Sequence, residues 1–162
     1  MHGVDDPDVE IAVATFVKLM RAARAVATRL EPLMAAHGLT MTQFGVLEAI
    51  LHRGPLTHRE LGRKVLTSAA NMTDVIDKLE LRGLVRRVRC PEDRRLVHVD
   101  LTDAGRCLIA RLFPVHAEDI ARAMAGLGHD QLAELGALLR ALGMAAAEPP
   151  LAGPCPVTHL DA

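Results

Sequence analysis

Apolar residues recur at three- and four-residue spacing from Val9 through Ala12, Phe16, Leu19, Met20, Ala23, Ala27 and Leu30 to Met34. That period predicts one long helix over about residues 8–36. Pro32 falls near its end, where a missing N–H bends or stops the last turn, and Gly38 closes it. Thr40-Met41-Thr42-Gln43 has the form of a capping box, and Phe44, Val46, Leu47 and Ile50 follow. A second helix is therefore predicted over 41–52, broken by Gly54-Pro55. Thr57-His58-Arg59-Glu60 repeats the box and opens a third helix through Val65. Thr67 or Ser68 then caps a fourth, reaching Leu81 or Arg82, with Met72, Val75, Ile76 and Leu79 as its buried stripe. Gly83 stands where a helix end favours glycine. Two short helices joined by so tight a turn suggest a helix-turn-helix.

Beyond Gly83 the chain becomes strand-like. Leu84–Cys90 and Leu96–Leu101 are rich in β-branched residues and flank Pro91-Glu92-Asp93-Arg94-Arg95. A two-stranded hairpin in that place is a wing. Thr102 caps a long helix to about Leu127, and Pro114 should kink it. Gly128, with Gln131 three residues on, opens a last helix that turns Leu132, Leu135, Leu138, Leu139 and Leu142 inward. The tail over 148–162 is Pro-rich without an apolar period, so it is expected to be extended or disordered. The expected fold is mainly α with a small β-hairpin wing. A winged helix-turn-helix domain over 40–101 is flanked by an N-terminal dimerisation helix over 8–36 and C-terminal dimerisation helices over 102–147. Dimerisation follows because the two terminal segments have apolar faces too broad for a three-helix domain to cover.

Composition narrows the function. Half of the 162 residues are apolar, enough for a core without disulfides or metal. With three Phe and no Tyr or Trp, an aromatic platform for single-stranded nucleic acid and an aromatic cage are both disfavoured. The opening MHGVDDPDVE lacks the basic-then-apolar order of a signal peptide, and no run approaches the ~20 apolar residues of a membrane span. Three cysteines at positions 90, 107 and 155 make no disulfide framework, so a cytoplasmic protein is expected. Net charge is −1, yet residues 53–106 hold twelve Lys and Arg against eight Asp and Glu, a surplus of four. Such a split matters more than the total when the partner is a polyanion, although a solvated surface with chance clustering is the plainer account. Arg outnumbers Lys sixteen to three, a bias that genome composition also produces.

Four segments together resemble the MarR (multiple antibiotic resistance regulator) family. They are Leu56-Thr57-His58-Arg59-Glu60-Leu61, then Val75 through Val85, then Pro91-Glu92-Asp93-Arg94-Arg95, then Leu101-Thr102-Asp103-Ala104-Gly105. Asp93-Arg94-Arg95 followed by Leu101-Thr102 and Gly105 is similar to that family's wing signature, Asp-x-Arg then Leu-Thr-x-x-Gly. The resemblance covers about residues 10–147. It implies a homodimeric bacterial transcription regulator, usually a repressor, bound to a pseudo-palindromic duplex. It also implies that Arg95, matching the wing arginine, enters the minor groove, where narrow A·T-rich DNA concentrates negative potential. Asp93 would orient that arginine by a charge-assisted hydrogen bond. Arg94 is the other candidate for the wing tip, and a merely solvated basic hairpin is the alternative.

The recognition helix can be read from its own residues. Ser68, Asn71 and Thr73 occupy its N-terminal end, opposite the apolar stripe, and small polar side chains there can enter a major groove about 12 Å wide. Asn71 suits an adenine edge, and Thr73 a base or a phosphate. Helix capping is the alternative for Ser68 and Asn71. Asp74 departs from the family, many members of which carry Arg there. It faces phosphates unfavourably unless it accepts from a cytosine amino group or pairs with a neighbouring Arg or Lys78. Thr57, His58, Arg59 and Lys64 are candidate phosphate contacts, with a solvated face as the alternative for each.

Relatives commonly bind a small, often phenolic or aromatic, acid between the dimer helices and the winged domain, so a small-molecule effector is expected. No motif marks that cleft. Arg24, His37 and His116, polar groups on otherwise apolar helices, are the candidates, with a surface or satisfied-core role as the alternative. The family's oxidant-sensing branch uses a cysteine near the start of the first helix, and this chain has none there. Cys90 and Cys107 would serve a redox-responsive regulator only with stabilised thiolates, and small buried hydrophobes are the better expectation. Cys155 lies in the tail. Seven of the histidines, at 37, 52, 58, 98, 116, 129 and 159, are too dispersed for the His-x-x-x-His of zinc-sensing relatives, so neither metal nor cofactor is expected. No Gly-rich phosphate loop, His-Glu-x-x-His or Gly-x-Ser-x-Gly points to an enzyme. A winged-helix interaction module without DNA binding remains the reading from another class.

Overall fold

Most helices of the chain begin where a side chain takes over the free N–H groups of the first turn. The computed structural model describes residues 6–65, 69–89 and 96–147. In order, these form α1 (Pro7–Ala36), α2 (Met41–Arg53), β1 (Leu56–Thr57), α3 (His58–Val65), α4 (Ala69–Leu81), β2 (Val85–Arg89), β3 (Val97–Leu101), α5 (Asp103–Ala123) and α6 (His129–Ala146). Asp6 accepts from the Asp8 N–H at the head of α1, where Pro7 needs no partner. The two capping boxes form as the sequence predicts: the Gln43 N–H donates to Thr40 Oγ1 at 3.1 Å, and the Thr40 N–H to Gln43 Oε1 at 2.9 Å. Thr57 and Glu60 exchange the same pair of bonds at the start of α3. At α6 only half of the box exists, the Gly128 N–H donating to Gln131, because glycine has no oxygen to return.

The chain divides into two units, one ending at Met124 and one beginning at Ala125. In the first, Phe44, Val46, Leu47 and Ile50 of α2 meet Met72, Ile76 and Leu79 of α4, and Leu61, Val85, Val99, Leu101, Ile109 and Leu112 close the core around them. Met34 and Leu39 bring the end of α1 into the same cluster. The anticipated α4 stripe is the buried one, with Val75 partly covered.

Several expectations are corrected. The predicted wing hairpin forms as β2 and β3, but it is extended by a third strand that the sequence did not announce, giving a sheet of order β1-β3-β2. Leu56 and Thr57 pair antiparallel with Val99 and His98. Two residues carry no detectable period, and the left-handed Gly54 before Pro55 (φ +78°) permits the sharp entry. Both internal prolines lie within their helices, α1 continuing past Pro32 to Ala36 and α5 past Pro114 to Ala123. The carbonyl freed four residues before Pro32 belongs to exposed Thr28, and that before Pro114 to exposed Ala110, so water can satisfy both. α5 stops at Ala123 rather than Leu127. No α6 residue is buried: Leu132 and Leu135 are half-covered, while Leu138, Leu139 and Leu142 are exposed rather than inward. An apolar period identifies a face; it does not supply the neighbour that covers it. α1 is similar, burying only Leu30 and Met34 of its stripe. No helix of the described residues is long and apolar enough to cross a membrane.

One contact explains the Leu-Thr-x-x-Gly spacing. Thr102 caps α5 by accepting from the Gly105 N–H at 3.0 Å, and its hydroxyl donates to the Gly83 carbonyl at 2.6 Å. The Thr102 N–H donates to the Leu84 carbonyl at 3.1 Å. This draws the first turn of α5 so close to the wing root that a Cβ on Gly105 would lie 1.9 Å from the Leu84 oxygen. Gly105→Ala should therefore destabilise the fold by about 3 kcal/mol, the cost of an overpacked site that must shift backbone. Urea unfolding of the two chains side by side measures it.

Candidate nucleic-acid interface

α3 and α4 pack against each other, and each shows the outside a polar face. Arg59 and Lys64 of α3 are exposed, as are Asn71, Thr73 and Asp74 in the first half of α4, on the side opposite Met72 and Ile76. Asp74 accepts from Lys78 Nζ at 2.7 Å one turn on, so the residue that departs from the family pattern is neutralised within its own helix. The Thr57 hydroxyl is engaged twice by Glu60, donating to its carboxylate at 2.8 Å and accepting its N–H at 3.3 Å. These bonds from the Thr57 N–H and hydroxyl hold the Glu60 carboxyl below its ordinary 4.5. Ser68, Asp93, Arg94 and Arg95 lie outside the described residues, as do Cys90, Cys155 and His159.

His58 opens α3 half-buried. Burial first, and the Arg87 guanidinium second, lower its pKa from 6.5, against the opposing pull of Asp77 and Glu80. It is therefore neutral at pH 7 and offers a phosphate a hydrogen bond but no full charge. The neutral ring stabilises the fold fully above the ordinary histidine range, and that contribution is lost as pH falls through the lowered value.

Two arginines that sequence reasoning missed hold this surface together. Arg87 of β2 reaches across to α4, bridging Asp77 and Glu80 with its guanidinium while its N–H donates to Glu80 at 3.1 Å. Arg82, just past α4, donates from Nη1 to the Gly38 carbonyl at 2.6 Å and from Nη2 to the His37 carbonyl at 2.9 Å. Partners on other elements leave no local signal, though the carboxylates at 77 and 80 lie on one helix face at i, i+3. On the other side of the wing, Arg86 pairs with its cross-strand neighbour Asp100 at 3.2 Å. A cleft of about 500 Å³ between α2 and α3 is lined by His52, Arg53, Arg63 and Lys64 with Glu48. Arg53, Arg63 and Lys64 close the last turns of their helices, where they offset the partial negative charge of free carbonyls.

The three effector candidates are not alike. Arg24 is exposed and His37 half-buried at the end of α1. His116 is buried within α5, its ring 4.5 Å from that of Phe44, and its Nδ1 has no hydrogen-bond partner among the described residues. It is thus neither a surface group nor a satisfied core histidine. Cys107 is exposed, not the buried hydrophobe expected, because the inward face of α5 carries Gly105, Ile109, Leu112 and His116.

A helix pair with a polar outer edge, followed by an antiparallel wing tied to its second helix, defines a winged helix-turn-helix DNA-binding protein. The model of the MarR family matches residues 39–97. The chain is 36% identical over 140 residues to the uncharacterized HTH-type transcriptional regulator YkoM of Bacillus subtilis (strain 168), covering 86% of this chain and 91% of that one. It belongs to the MarR family and is a transcriptional regulator that binds DNA. Among solved structures, a mutant MarR from E. coli complexed with operator DNA superposes with a TM-score of 0.72 at 25% identity, over 85% of this chain and 99% of that one. BpsR of Bordetella bronchiseptica, whose DNA binding is regulated by 6-hydroxynicotinic acid, gives 0.72 at 26% identity, over 88% and 96%.

Replacing Arg87 by Met should loosen β2 from α4 at a cost of about 1 kcal/mol, modest because the pair is partly solvated. With the cation gone and Asp77 and Glu80 left behind, the His58 pKa should rise. Following the His58 ring by NMR across the pH range checks the direction.

Proposed function

We propose that the protein is a homodimeric repressor that reads a pseudo-palindromic operator and is released by a small aromatic acid. The observation that carries this reading is the division of α4 into a buried Met72/Ile76/Leu79 face and an exposed edge bearing Asn71, Thr73 and Asp74. In the major groove Asn71 would pair with an adenine edge, Thr73 with a base or phosphate, and Asp74 would stay bound to Lys78. Arg59 and Lys64 would meet phosphates as charges, His58 as a neutral donor, and Ser68 at the helix start. Thr57 would act chiefly by shaping the α3 N-terminus that presents them. The wing would place Arg95 in the minor groove, oriented by Asp93, with Arg94 beside it.

The dimer reading draws on apolar surface. α1 exposes Ile11, Met20 and Phe16, the last at 61%, and α6 exposes Leu138, Leu142 and Met144. Apolar surface on this scale calls for a partner, and a second copy would supply the same faces to each other. Two copies would set their recognition helices one DNA turn apart, ~34 Å. For the effector, His116 is the candidate that stands out, its buried Nδ1 without a hydrogen-bond partner among the described residues. Such a protein would act in the cytoplasm as a regulator and not as an enzyme.

Retaining fragmented genomic DNA of the source organism on the purified protein and sequencing it tests the core of this reading. One inverted repeat enriched near a few genes is expected. No enrichment over a protein-free control, with a folded dimer at low salt, would favour the interaction module instead. On the recovered operator, Arg95→Ala should weaken binding by about 1–3 kcal/mol with the dimer intact, read by titration of labelled duplex. Wild-type affinity should fall steeply as salt rises, because each phosphate contact releases counterions.

A further inference from the structure

Arg82 is the residue whose geometry the DNA-contact scheme leaves unused. It stands between the end of α4 and Gly83, which takes φ +67°, and its guanidinium spans two successive carbonyls, those of His37 and Gly38, at the end of α1. The carbonyl end of a helix carries partial negative charge, which a basic residue in the last turn commonly offsets. The last turn of α1 contains none. Arg82 supplies that cation from another element, in a two-pronged form that a lysine ammonium cannot reproduce. A long helix bearing an exposed apolar face is thereby joined, by its end, to the end of the helix that carries Asn71 and Thr73.

We propose that Arg82 is a positioning residue: it clamps the recognition helix to the C-terminal end of α1, so that the α1 helices of a dimer set the spacing of the two reading heads. This rests on the homodimer reading above. An operator with two half-sites one turn apart rewards heads held at one separation and penalises the rest. Removing the clamp should let each head adjust independently. The dimer then forfeits affinity for the best spacing, and the loss is smaller for poor spacings.

The test uses the full chain, the operator recovered by selection, and versions of it with the half-sites moved closer or further by one and two base pairs. Wild type should show one sharp optimum. Arg82→Gln should bind the optimal operator more weakly, on the order of tenfold, the scale of a lost charge-assisted bond. Its preference among spacings should flatten, with the dimer and the salt dependence unchanged. Arg82→Lys, which can reach one carbonyl, should fall between, and it carries the test should Arg82→Gln fold poorly. A uniform loss over all spacings would mean a merely structural role and overturn the proposal, as would an unaltered profile. A salt slope reduced by about one would mean that Arg82 itself touches a phosphate, and would overturn it too. Failure of the wild type to bind as a dimer with any spacing optimum would instead overturn the homodimer reading.

Discussion

The approach of α5 to the wing root is the constraint on which the rest of the domain depends. Gly83, Leu84, Thr102 and Gly105 meet in a joint where two carbonyls, one hydroxyl and two N–H groups are mutually satisfied and no side chain fits between the backbones. The joint unites three things distant in function: the end of the recognition helix, the start of the wing, and the helix that leads to the C-terminal region. Because buried backbone groups must be paired, they cannot drift apart without exposing unsatisfied donors. The core then fills in around a frame already set by hydrogen bonds.

Around that frame, ion pairs set angles more than they add stability. Arg87 holds β2 to α4, Arg86 holds β2 to β3, and Lys78 holds Asp74 along its own helix. Each of these pairs joins a cation and a carboxylate that both lie within residues 53–106, so the surplus of four in that stretch is left to the unpaired cations. Among the described residues, Arg59, Arg63 and Lys64 on α3 enter no ion pair. α3 thus presents unpaired cations, while on α4 the charges of Asp74, Asp77 and Lys78 are engaged in ion pairs beside exposed Asn71 and Thr73.

Much of this was legible from spacing alone. The capping boxes at Thr40 and Thr57, the α4 stripe and the two wing strands announce themselves locally, because a hydroxyl three residues before a Glu or Gln and an apolar period are short-range facts. What escaped was long-range or too short to have a pattern. β1 is two residues long, and Arg82 finds its partners 44 and 45 positions away. Leu138, Leu139 and Leu142 are exposed in the single chain because periodicity describes one surface of a contact and not the neighbour that covers it. Cys107 fell on the outer face of α5 by a rotation that composition cannot reveal. His116 was singled out only as a polar residue on an apolar helix, and its unpartnered nitrogen needed three dimensions.

The order of the small sheet has a further consequence. β3 lies in the middle, β1 guards one side, and β2 is left as an outer strand. Outer strands present a row of backbone donors and acceptors that another chain can extend, the first step toward aggregation. Of the five residues of β2, three are arginine, at 86, 87 and 89. Two copies approaching edge to edge would bring six guanidinium groups together and repel before their backbones could pair. The same arginines that brace the wing thus help to keep concentrated protein from zipping into fibres.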